Sequence, residues 1–370
     1  MAKVRKLLIT GGHVTPALAV VDALAQKNIK CDVVFVGRKY VNNRETANSF
    51  EYNEVTKRNI PFIHLKAGRL TRVANMQSFL SFLNIPAGVI AAYKIISYQK
   101  PDIVLTFGGY IGLPIAIAAR LKGIPIYSHE QTIHPGIANR LISKMAKRIF
   151  VAFAESAKYF NKKRVIVSGN PIRAAVFSKG KAIFKIPALP CIYITGGSLG
   201  AHSVNTHIER ILPELLKKFV VIHQTGNVRE FKDFERLAEF KSTLKSEIAD
   251  RYFPQEHFLD DQIGWVYSVS DFVVGRSGAN TFFELMALEK PAVFIPLPWS
   301  ANDEQRRQAM IFKEKGLGEV FEQNRSSSEL LSLIEKVNSN LSDYQNCFAL
   351  IDQDYHTHAE DTIIDTIFKA

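Results

Sequence analysis

The sequence predicts an α/β protein built of two domains, each with a doubly wound parallel sheet. Short apolar runs alternate along the chain with segments of helical period, an order typical of parallel strands joined by crossover helices. Two segments, 7–12 and 192–197, open in the same way, each an apolar run that ends in Thr-Gly-Gly and leads into a helical segment. The length of 370 residues is enough for two such domains.

The elements of the first half follow in chain order. We expect a helix over Pro16–Ala25, after the first Thr-Gly-Gly, and another over Ile115–Leu121, after a glycine-rich loop. The further apolar runs that predict strands here are Val33–Val36, Ile103–Thr106, Ile124–Tyr127, Ile149–Ala152 and Val165–Val167. A polar, lysine-rich stretch, Ser178–Lys185, then predicts the linker between the domains.

The second half repeats the alternation. A helix is expected over Val204–Leu216, after the second Thr-Gly-Gly. The apolar runs that follow predict strands at Val220–His223, Phe258–Leu259, Phe272–Val274 and Ala292–Ile295. Two domains of this kind leave a cleft between them, and ligands bind at the carboxyl ends of parallel strands. We therefore look for chemistry in the loops that follow the strands.

Composition indicates an ordinary globular protein. The apolar fraction is 47%, and the three cysteines are scattered, so neither a disulfide framework nor a cysteine metal site is expected. The N-terminal residues lead straight into a strand without a secretory signal pattern. No run of eighteen apolar residues predicts a transmembrane helix. A reducing cytoplasm is the expected compartment.

The positive charge is confined to one half of the chain. Residues 1–168 carry 25 Lys and Arg against 8 Asp and Glu, a net charge of +17, whereas residues 169–370 carry 22 against 27, a net charge of −5. A basic half of this kind fits an anionic partner, either nucleic acid or an acidic membrane surface. A merely solvated surface would explain a net charge but not its confinement.

The stretch 271–284 carries the most chemical information. Its apolar run predicts a buried strand, and Arg276-Ser277-Gly278 then turn the chain into a helical pattern that Ser277 is expected to cap. The start of such a helix presents backbone N–H groups and a positive dipole end, which suit a diphosphate. Glu284 falls on the same helical face as Ser277, where a carboxylate can bind a ribose diol. The stretch therefore predicts a nucleotide site.

Glycine-rich loops follow two strands of the first half. In Thr10-Gly11-Gly12-His13 the glycines allow a phosphate or sugar to approach the backbone, and His13 can exchange a proton near neutral pH. A tight turn with a capping histidine is an equally good reading of that loop. Gly108-Gly109-Tyr110 opens a second loop, for which a phosphate-facing turn and a packing turn are both open.

Other strand ends are rich in polar or glycine residues. Residues 128–136 form a polar loop whose two histidines, His129 and His134, lack a third metal ligand, so a metal site is not expected. An arginine, Arg173, follows the strand at 165–167 and can reach a phosphate or carbonyl. Residues 196–201 form the strongest glycine loop of the chain, and residues 296–308 end a strand with hydrogen-bonding side chains.

Residues 69–94 combine apolar and basic side chains. An amphipathic stretch with a basic rim suits the surface of an anionic bilayer, and the side chains that we expect to face it are Arg69, Arg72, Phe79 and Phe82. A core helix with a solvated edge is the alternative. The confinement of the positive charge to the same half favours membrane contact over that alternative.

Taken together, these motifs resemble glycosyltransferase family 28, and the resemblance covers nearly the whole chain. The motifs are Thr-Gly-Gly-His-Val-x-Pro-Ala, Gly-Gly-Tyr, His-Glu-Gln-x-x-x-Pro-Gly-x-Ala-Asn-Arg, Gly-Asn-Pro-Ile-Arg, Gly-Gly-Ser-x-Gly-Ala, His-Gln-Thr-Gly and Arg-Ser-Gly-Ala-x-Thr-x-x-Glu. The resemblance implies the GT-B architecture, in which two Rossmann-like domains face each other across a cleft. It places the domains at 1–172 and 173–350, with a C-terminal helix within 351–370 that returns to the first domain.

The activity implied is that of the lipid-linked peptidoglycan precursor enzymes of this family. N-acetylglucosamine would pass from UDP-N-acetylglucosamine to the C4 hydroxyl of a muramoyl peptide on undecaprenyl diphosphate, with inversion and without a metal or other cofactor. The resemblance implies His13 as the base and a donor site made of Thr10, Gly11, Gly12, Thr132, Arg173, Ser198, Leu259, Ala279, Asn280, Thr281, Phe282, Phe283, Glu284 and Gln305. It implies an acceptor-side loop at Gly108, Gly109 and Tyr110, and a peripheral location on the cytoplasmic face of the plasma membrane, without nucleic acid as a partner.

The chain departs from the family pattern at a few positions, most of them on the acceptor and sugar side. Leu8 and Ile9 replace two glycines, Thr132 replaces an asparagine, Leu113 replaces a glycine and Glu304 replaces a glutamine. Two alternatives therefore stay open: a related lipid glycosyltransferase with another acceptor, such as diacylglycerol, and a weakly active UDP-sugar-binding protein.

Overall fold

The protein is described from a computed structural model over residues 4–40, 48–67, 85–197, 200–228, 230–351, 355 and 358–369. The chain divides into two compact units. The first unit comprises Met1–Arg173 with Asp354–Ala370, and the second comprises Ala174–Gln353.

The first unit holds a sheet of seven parallel strands. They are β1 Arg5–Thr10, β2 Cys31–Gly37, β3 Phe62–His64, β4 Ile103–Thr106, β5 Ile126–Glu130, β6 Arg148–Val151 and β7 Val165–Val167. Their order across the sheet is β3-β2-β1-β4-β5-β6-β7, so the direction of winding reverses between β1 and β4. Ligand-binding crevices of doubly wound sheets lie outside the carboxyl ends of the strands at such a reversal.

Helices cover both faces of this sheet. They are α1 Val14–Gln26, α2 Phe50–Lys57, α3 Ile85–Gln99, α4 Gly109–Leu121 and α5 Ile137–Met145. One apolar cluster joins the sheet to α3, α4 and α5, and another joins it to α1. Leu8 belongs to the first cluster and Ile9 to the second, because successive side chains of a strand point to opposite faces. Both residues are fully buried within β1, so these departures lie in the strand and not in the loop that follows it.

The second unit holds a sheet of six parallel strands. They are β8 Cys191–Thr195, β9 Val220–Gln224, β10 Tyr252–Gln255, β11 Phe272–Gly275, β12 Ala292–Phe294 and β13 Gly318–Val320. Their order across the sheet is β10-β9-β8-β11-β12-β13. The helices are α6 His202–Lys218, α7 Asp233–Thr243, α8 Ser246–Ala249, α9 Asp260–Val269, α10 Ala279–Ala287, α11 Glu304–Glu314, α12 Ser327–Ser339 and α13 Leu341–Phe348. An apolar cluster confined to this unit joins the sheet to α6 and α12.

The last helix, α14 Ala359–Phe368, belongs to the first unit and packs against α1. Its Ile363, Ile364 and Ile367 are buried in the same apolar cluster as Leu24 of α1. Among the helices of the described ranges, none has the length and apolar character that crossing a membrane requires.

The predicted fold class is confirmed, with local corrections. The strand predicted at Phe258–Leu259 is wrong: β10 lies at Tyr252–Gln255, and Leu259 is the N-cap of α9. Helix α4 begins at Gly109 and not at Ile115, so Gly108 is its N-cap residue and Gly109 lies in its first turn. The strands β3 and β13 were not predicted, because His64 and Glu319 interrupt the continuous apolar run that marks the equally short strands β7 and β12.

Candidate functional site

The glycine loops after β1 and β4 pack directly against each other. The Thr10 hydroxyl donates to Oγ1 of Thr106 at 2.8 Å, and that oxygen also accepts the backbone N–H of Gly108 at 3.1 Å. Gly12 has φ +145°, and a Cβ at this position would lie 2.6 Å from the carbonyl oxygen of Gly108. Gly12 is therefore required by its own conformation and by the neighbouring loop. The structure thus brings the predicted residues Thr10, Gly12, Gly108 and Gly109 together.

A carboxylate that the sequence did not single out lies against the first of these loops. Glu51, in the first turn of α2, accepts the backbone N–H of Arg38 at 2.8 Å and hydrogen-bonds the backbone of Gly12. A Cβ on Gly11 would lie 1.5 Å from Oε1 of Glu51, and one on Gly37 would lie 2.5 Å from Oε2. Burial raises the pKa of Glu51 to about 7.

The backbone donors of this loop are used inside the protein. Gly11 donates its N–H to the carbonyl of Val36 at 2.9 Å, and Gly12 is engaged with Glu51. An anion at this loop would therefore bind to the first turn of α1, which starts at Val14, where helical geometry leaves backbone N–H groups without intrahelical acceptors.

His13 is the N-cap residue of α1 and is partly exposed. Its Nδ1 lies 2.7 Å from Nε2 of Gln131, which follows β5. Burial lowers the pKa of His13 to about 4, so the imidazole is neutral at neutral pH. A neutral imidazole at the carboxyl edge of the sheet can accept a proton from a bound hydroxyl group.

The loop after β5 is held by a buried carboxyl group. Glu130 accepts the Thr132 backbone N–H at 2.9 Å, the Thr132 hydroxyl at 2.7 Å and the Asn139 side-chain amide at 2.8 Å. Burial raises the pKa of Glu130. The Thr132 hydroxyl, which was predicted to contact the sugar, thus donates a hydrogen bond within its own loop. Across the described ranges no group of three His, Cys, Asp or Glu could hold a metal ion.

The equivalent loop of the second unit follows β8. Its Gly197 donates its backbone N–H to Oγ1 of Thr195 at 3.0 Å, which repeats the threonine-capped loop after β4. A Cβ on Gly275 would lie 2.2 Å from the carbonyl oxygen of Thr195, so β8 and β11 approach closely here. The predicted contact Ser198 lies outside the described residues, as do the membrane-facing predictions Arg69, Arg72, Phe79 and Phe82.

The start of α10 differs from the prediction in its cap. Gly278 is the N-cap residue, and the hydroxyl of Ser277 instead donates to the carbonyl of Gln305 at 2.7 Å. Ala279, Asn280 and Thr281 form the first turn of the helix. The side chains of Phe282 and Phe283 are fully buried in the core, so only their backbone could approach a nucleotide.

Two charged residues are buried around α10. Glu284 accepts a hydrogen bond from the Tyr267 hydroxyl of α9 at 2.9 Å. The guanidinium of Arg276 donates to the carbonyl of Ile295 at 2.9 Å and to the Ser203 hydroxyl at 2.7 Å, both neutral groups. Burial lowers the pKa of Arg276 to about 10, which keeps it positively charged.

The remaining donor predictions lie at three places. Gln305 accepts the Leu297 backbone N–H at 3.0 Å through Oε1, which leaves its amide nitrogen for other contacts. Leu259 has a side chain that is 57% exposed, but its backbone N–H already donates to the Gln262 side-chain oxygen at 3.0 Å. Arg173 is partly exposed at the end of the first unit.

Two positions that depart from the family pattern are structural. Glu304 is buried at the start of α11 and accepts the Gln308 side-chain amide at 3.1 Å. Leu113 is buried in the apolar cluster on α4. Both therefore belong to the packing of their helices.

Comparisons with known proteins cover both units. The model of the glycosyltransferase family 28 N-terminal domain matches residues 10–151, and that of the C-terminal domain matches residues 191–357. A relative from Treponema denticola is 34% identical over 84% of this chain and 81% of its own length. A relative from Bacillus cereus (strain ATCC 10987) is 31% identical over 92% of this chain and 94% of its own length.

Both relatives are named as UDP-N-acetylglucosamine–N-acetylmuramyl-(pentapeptide) pyrophosphoryl-undecaprenol N-acetylglucosamine transferases. The crystal structure of Acinetobacter baumannii MurG superposes with a TM-score of 0.70 at 25% identity and covers 100% of both chains. A kitacinnamycin glycosyltransferase is similar in fold, with a TM-score of 0.71 at 14% identity and coverage of 100% of this chain and 99% of its own. The resemblance seen in the motifs is confirmed, and the chain belongs to glycosyltransferase family 28.

Proposed function

We propose that the protein transfers N-acetylglucosamine, with inversion, from UDP-N-acetylglucosamine to the C4 hydroxyl of an undecaprenyl-diphosphate-linked muramoyl peptide. The observation that carries the proposal is the neutral imidazole of His13, held beside two interlocked glycine loops at the carboxyl edge of the first sheet. An inverting transfer to a hydroxyl group requires such a base. The names of the Treponema denticola and Bacillus cereus relatives support the choice of donor and acceptor.

The proposed step is a single displacement. His13 takes the proton of the acceptor C4 hydroxyl, and the oxygen forms a bond to C1 of the donor sugar from the face opposite UDP. The bond between C1 and the diphosphate oxygen breaks, and its electron pair leaves with UDP. The imidazolium then returns its proton to solvent.

The donor side of the proposal uses the second unit. The first turn of α10, Ala279 to Thr281, offers backbone N–H groups and a positive dipole end to the diphosphate, where leaving-group charge develops. The buried positive charge of Arg276, which precedes this helix and has neutral partners, adds to that potential. Glu284 is proposed for the ribose hydroxyls and Gln305 for the sugar. Leu259, Ser198 and Arg173 complete the proposed donor contacts.

We further propose that the first unit binds the anionic surface of the cytoplasmic membrane peripherally. Helices α3, α4 and α5 pack on one face of the sheet, and their outer sides expose apolar side chains, Ile90 and Tyr93 on α3 and Ile137 and Leu141 on α5. A groove of about 690 Å³ beside α5 is lined by both of its apolar side chains and by Arg140, Lys144 and Arg164. Apolar side chains among cations suit the interface of an anionic bilayer.

The test is turnover with defined acceptors. Purified protein with UDP-N-acetylglucosamine and a lipid-diphosphate-linked muramoyl-peptide analogue is expected to release UDP and to form a disaccharide product identified by mass. UDP release only with diacylglycerol would replace the proposed acceptor. Donor binding by calorimetry without release on any acceptor would favour the binding protein instead.

A further inference from the structure

The imidazole of His13 is held by one neutral side chain. Nε2 of the Gln131 amide lies 2.7 Å from Nδ1 of His13. The backbone on either side of Gln131 is fixed: the Glu130 carbonyl accepts the Ala152 N–H at 2.9 Å, and the Glu130 side chain binds Thr132. The amide therefore approaches the ring from a rigid support.

The hydrogen bond between this amide and the ring selects a tautomer. A neutral imidazole has one nitrogen that donates and one that accepts. If the amide N–H donates to Nδ1, the ring proton is on Nε2, and Nε2 cannot act as a base. If the amide carbonyl accepts from Nδ1–H, Nε2 carries the lone pair that can take the acceptor's proton.

The amide oxygen is available for the second arrangement. Oε1 of Gln131 is buried and has no hydrogen-bond partner among the described residues. A half-turn of the amide brings this oxygen to Nδ1, and amide orientation is assigned from such networks. Once Nε2 has accepted a proton, both ring nitrogens donate, so Nδ1–H then requires an oxygen acceptor at this place.

The charged groups near the ring do not take over this role. Glu51 is bound to the backbone of Arg38 and Gly12, and the carboxyl of Glu130 to Thr132 and Asn139. His129, whose Nε2 lies 3.1 Å from the carbonyl of Gly169, is also uncharged at neutral pH, because burial and, to a lesser extent, the nearby His13 lower its pKa to about 4. The group that contacts Nδ1 is thus an uncharged amide.

We propose that Gln131 is the positioning residue of His13, and that its carbonyl selects the tautomer in which Nε2 acts as the base. The proposal assumes the transferase function above. An amide in this place also differs in effect from a carboxylate, because a carboxylate would stabilise the imidazolium and make His13 more basic. The neutral amide keeps the base unprotonated over a wide range of pH.

Kinetics of the Gln131→Leu variant test the role. We expect kcat to fall roughly 10- to 100-fold with little change in the KM for the donor, the scale seen when a partner that orients a catalytic group is lost. Gln26→Leu, the same change at the exposed far end of α1, is expected to leave both constants unchanged. In a His13→Ala background, Gln131→Leu is expected to cause no further loss of kcat, and an additive loss would overturn the proposal.

A second measurement does not depend on turnover. Nitrogen-15 NMR of histidine-labelled protein reports which ring nitrogen carries the proton. The native protein is expected to show the Nδ1–H tautomer at His13, and Gln131→Leu is expected to show a mixture. An Nε2–H tautomer in the native protein, or an unchanged signal in the variant, would overturn the role of Gln131, whereas failure of the transferase assay alone would overturn only the proposed function.

A variant that keeps an oxygen but adds a charge shows in which direction the residue at position 131 shifts the pKa of His13. Gln131→Glu retains an oxygen acceptor, so we expect the Nδ1–H tautomer to persist. The added negative charge is expected to raise the pKa of His13 and to move the acidic limb of the kcat profile to higher pH. An acidic limb that stays in place, in a variant that folds and binds donor, would contradict the contact.

Discussion

His13 owes its low basicity to its surroundings. Burial lowers its pKa to about 4, and its ring partner is an uncharged amide. A base of this strength is almost fully deprotonated at neutral pH, but it has only a modest driving force for taking a proton. In the proposed transfer, contacts that orient the acceptor hydroxyl towards Nε2 are therefore needed in addition to basicity.

Replacement of His13 by alanine tests its role as a base. We expect turnover to fall roughly 10²- to 10⁴-fold, the usual contribution of a general base, with unchanged affinity for UDP-N-acetylglucosamine. Steady-state kinetics with calorimetric titration of the donor give the two values. Equal loss of turnover and of donor affinity would assign His13 to binding instead.

Glu51 predicts a pH dependence of folding stability. Its pKa rises from 4.5 to about 7 on folding, so between these values the folded state holds a proton that the unfolded state has lost. Stability is therefore expected to fall as pH rises through this window, by about 3 kcal/mol in total. Glu51→Gln is neutral at every pH and should lack this decrease.

Urea unfolding at pH 5 and pH 8 measures the effect, with exposed Glu155→Gln as the control that retains the native decrease. The same decrease in Glu51→Gln as in the native protein would show that another group causes it.

At the scale of elements, helices α9 and α10 meet through a buried hydrogen bond that orients Glu284, one of the residues predicted to bind UDP-N-acetylglucosamine. The Tyr267 hydroxyl donates to Glu284 at 2.9 Å. Because the hydrogen bond fixes one carboxylate oxygen, it also fixes the direction of the other. The carboxylate is therefore oriented for a diol before the ligand binds. The orientation of Glu284 is therefore a property of two helices and not of one.

Tyr267→Phe is expected to weaken donor binding roughly 5-fold, since a hydrogen bond contributes about 1 kcal/mol. Tyr252→Phe removes another buried hydroxyl of the same unit, one that contacts His223 and not Glu284. Both variants should lose similar stability in thermal unfolding, but only the first should bind UDP less tightly. An equal loss of UDP affinity in both would make the effect one of general destabilisation.

The elements that the sequence predicted correctly are continuous apolar runs and segments with a clear helical period. Buried strands such as Ile103–Thr106 and long helices such as α6 show their pattern directly. Phe258 and Leu259 are apolar neighbours but precede a helix, and the edge strand at 252–255 contains Pro254, which weakened its pattern. Short apolar pairs carry too little information to separate a strand from a helix cap.

The candidate site was predictable in part for a similar reason. Glycines that require positive φ, such as Gly108, follow strands and mark loops in the sequence. Glu51 lies about forty residues from Gly11 and reaches it only through the pairing of β1 with β2, which no local pattern reveals. The hydrogen bond between His13 and Gln131 likewise depends on β1, β4 and β5 being adjacent.

At the scale of the whole molecule, charge separates the two halves of the chain. Because residues 1–168 carry a net charge of +17, binding to vesicles is expected to rise with the fraction of anionic lipid and to weaken with salt. Flotation with phosphatidylglycerol vesicles at low and high ionic strength measures this. Binding that is independent of salt would exclude an electrostatic contribution, and neutral vesicles provide the control.

Among the described residues, each of the three apolar clusters named above lies within a single unit, one in the second and two in the first. Heat should therefore melt the protein in two steps and not in one cooperative step. UDP, whose proposed contacts lie mostly in the second unit, should raise the melting temperature of that unit only. At a hundredfold excess over its Kd it should increase the free energy of unfolding of that unit by about 2.7 kcal/mol. Calorimetry with and without UDP would then assign each melting step to its half of the chain.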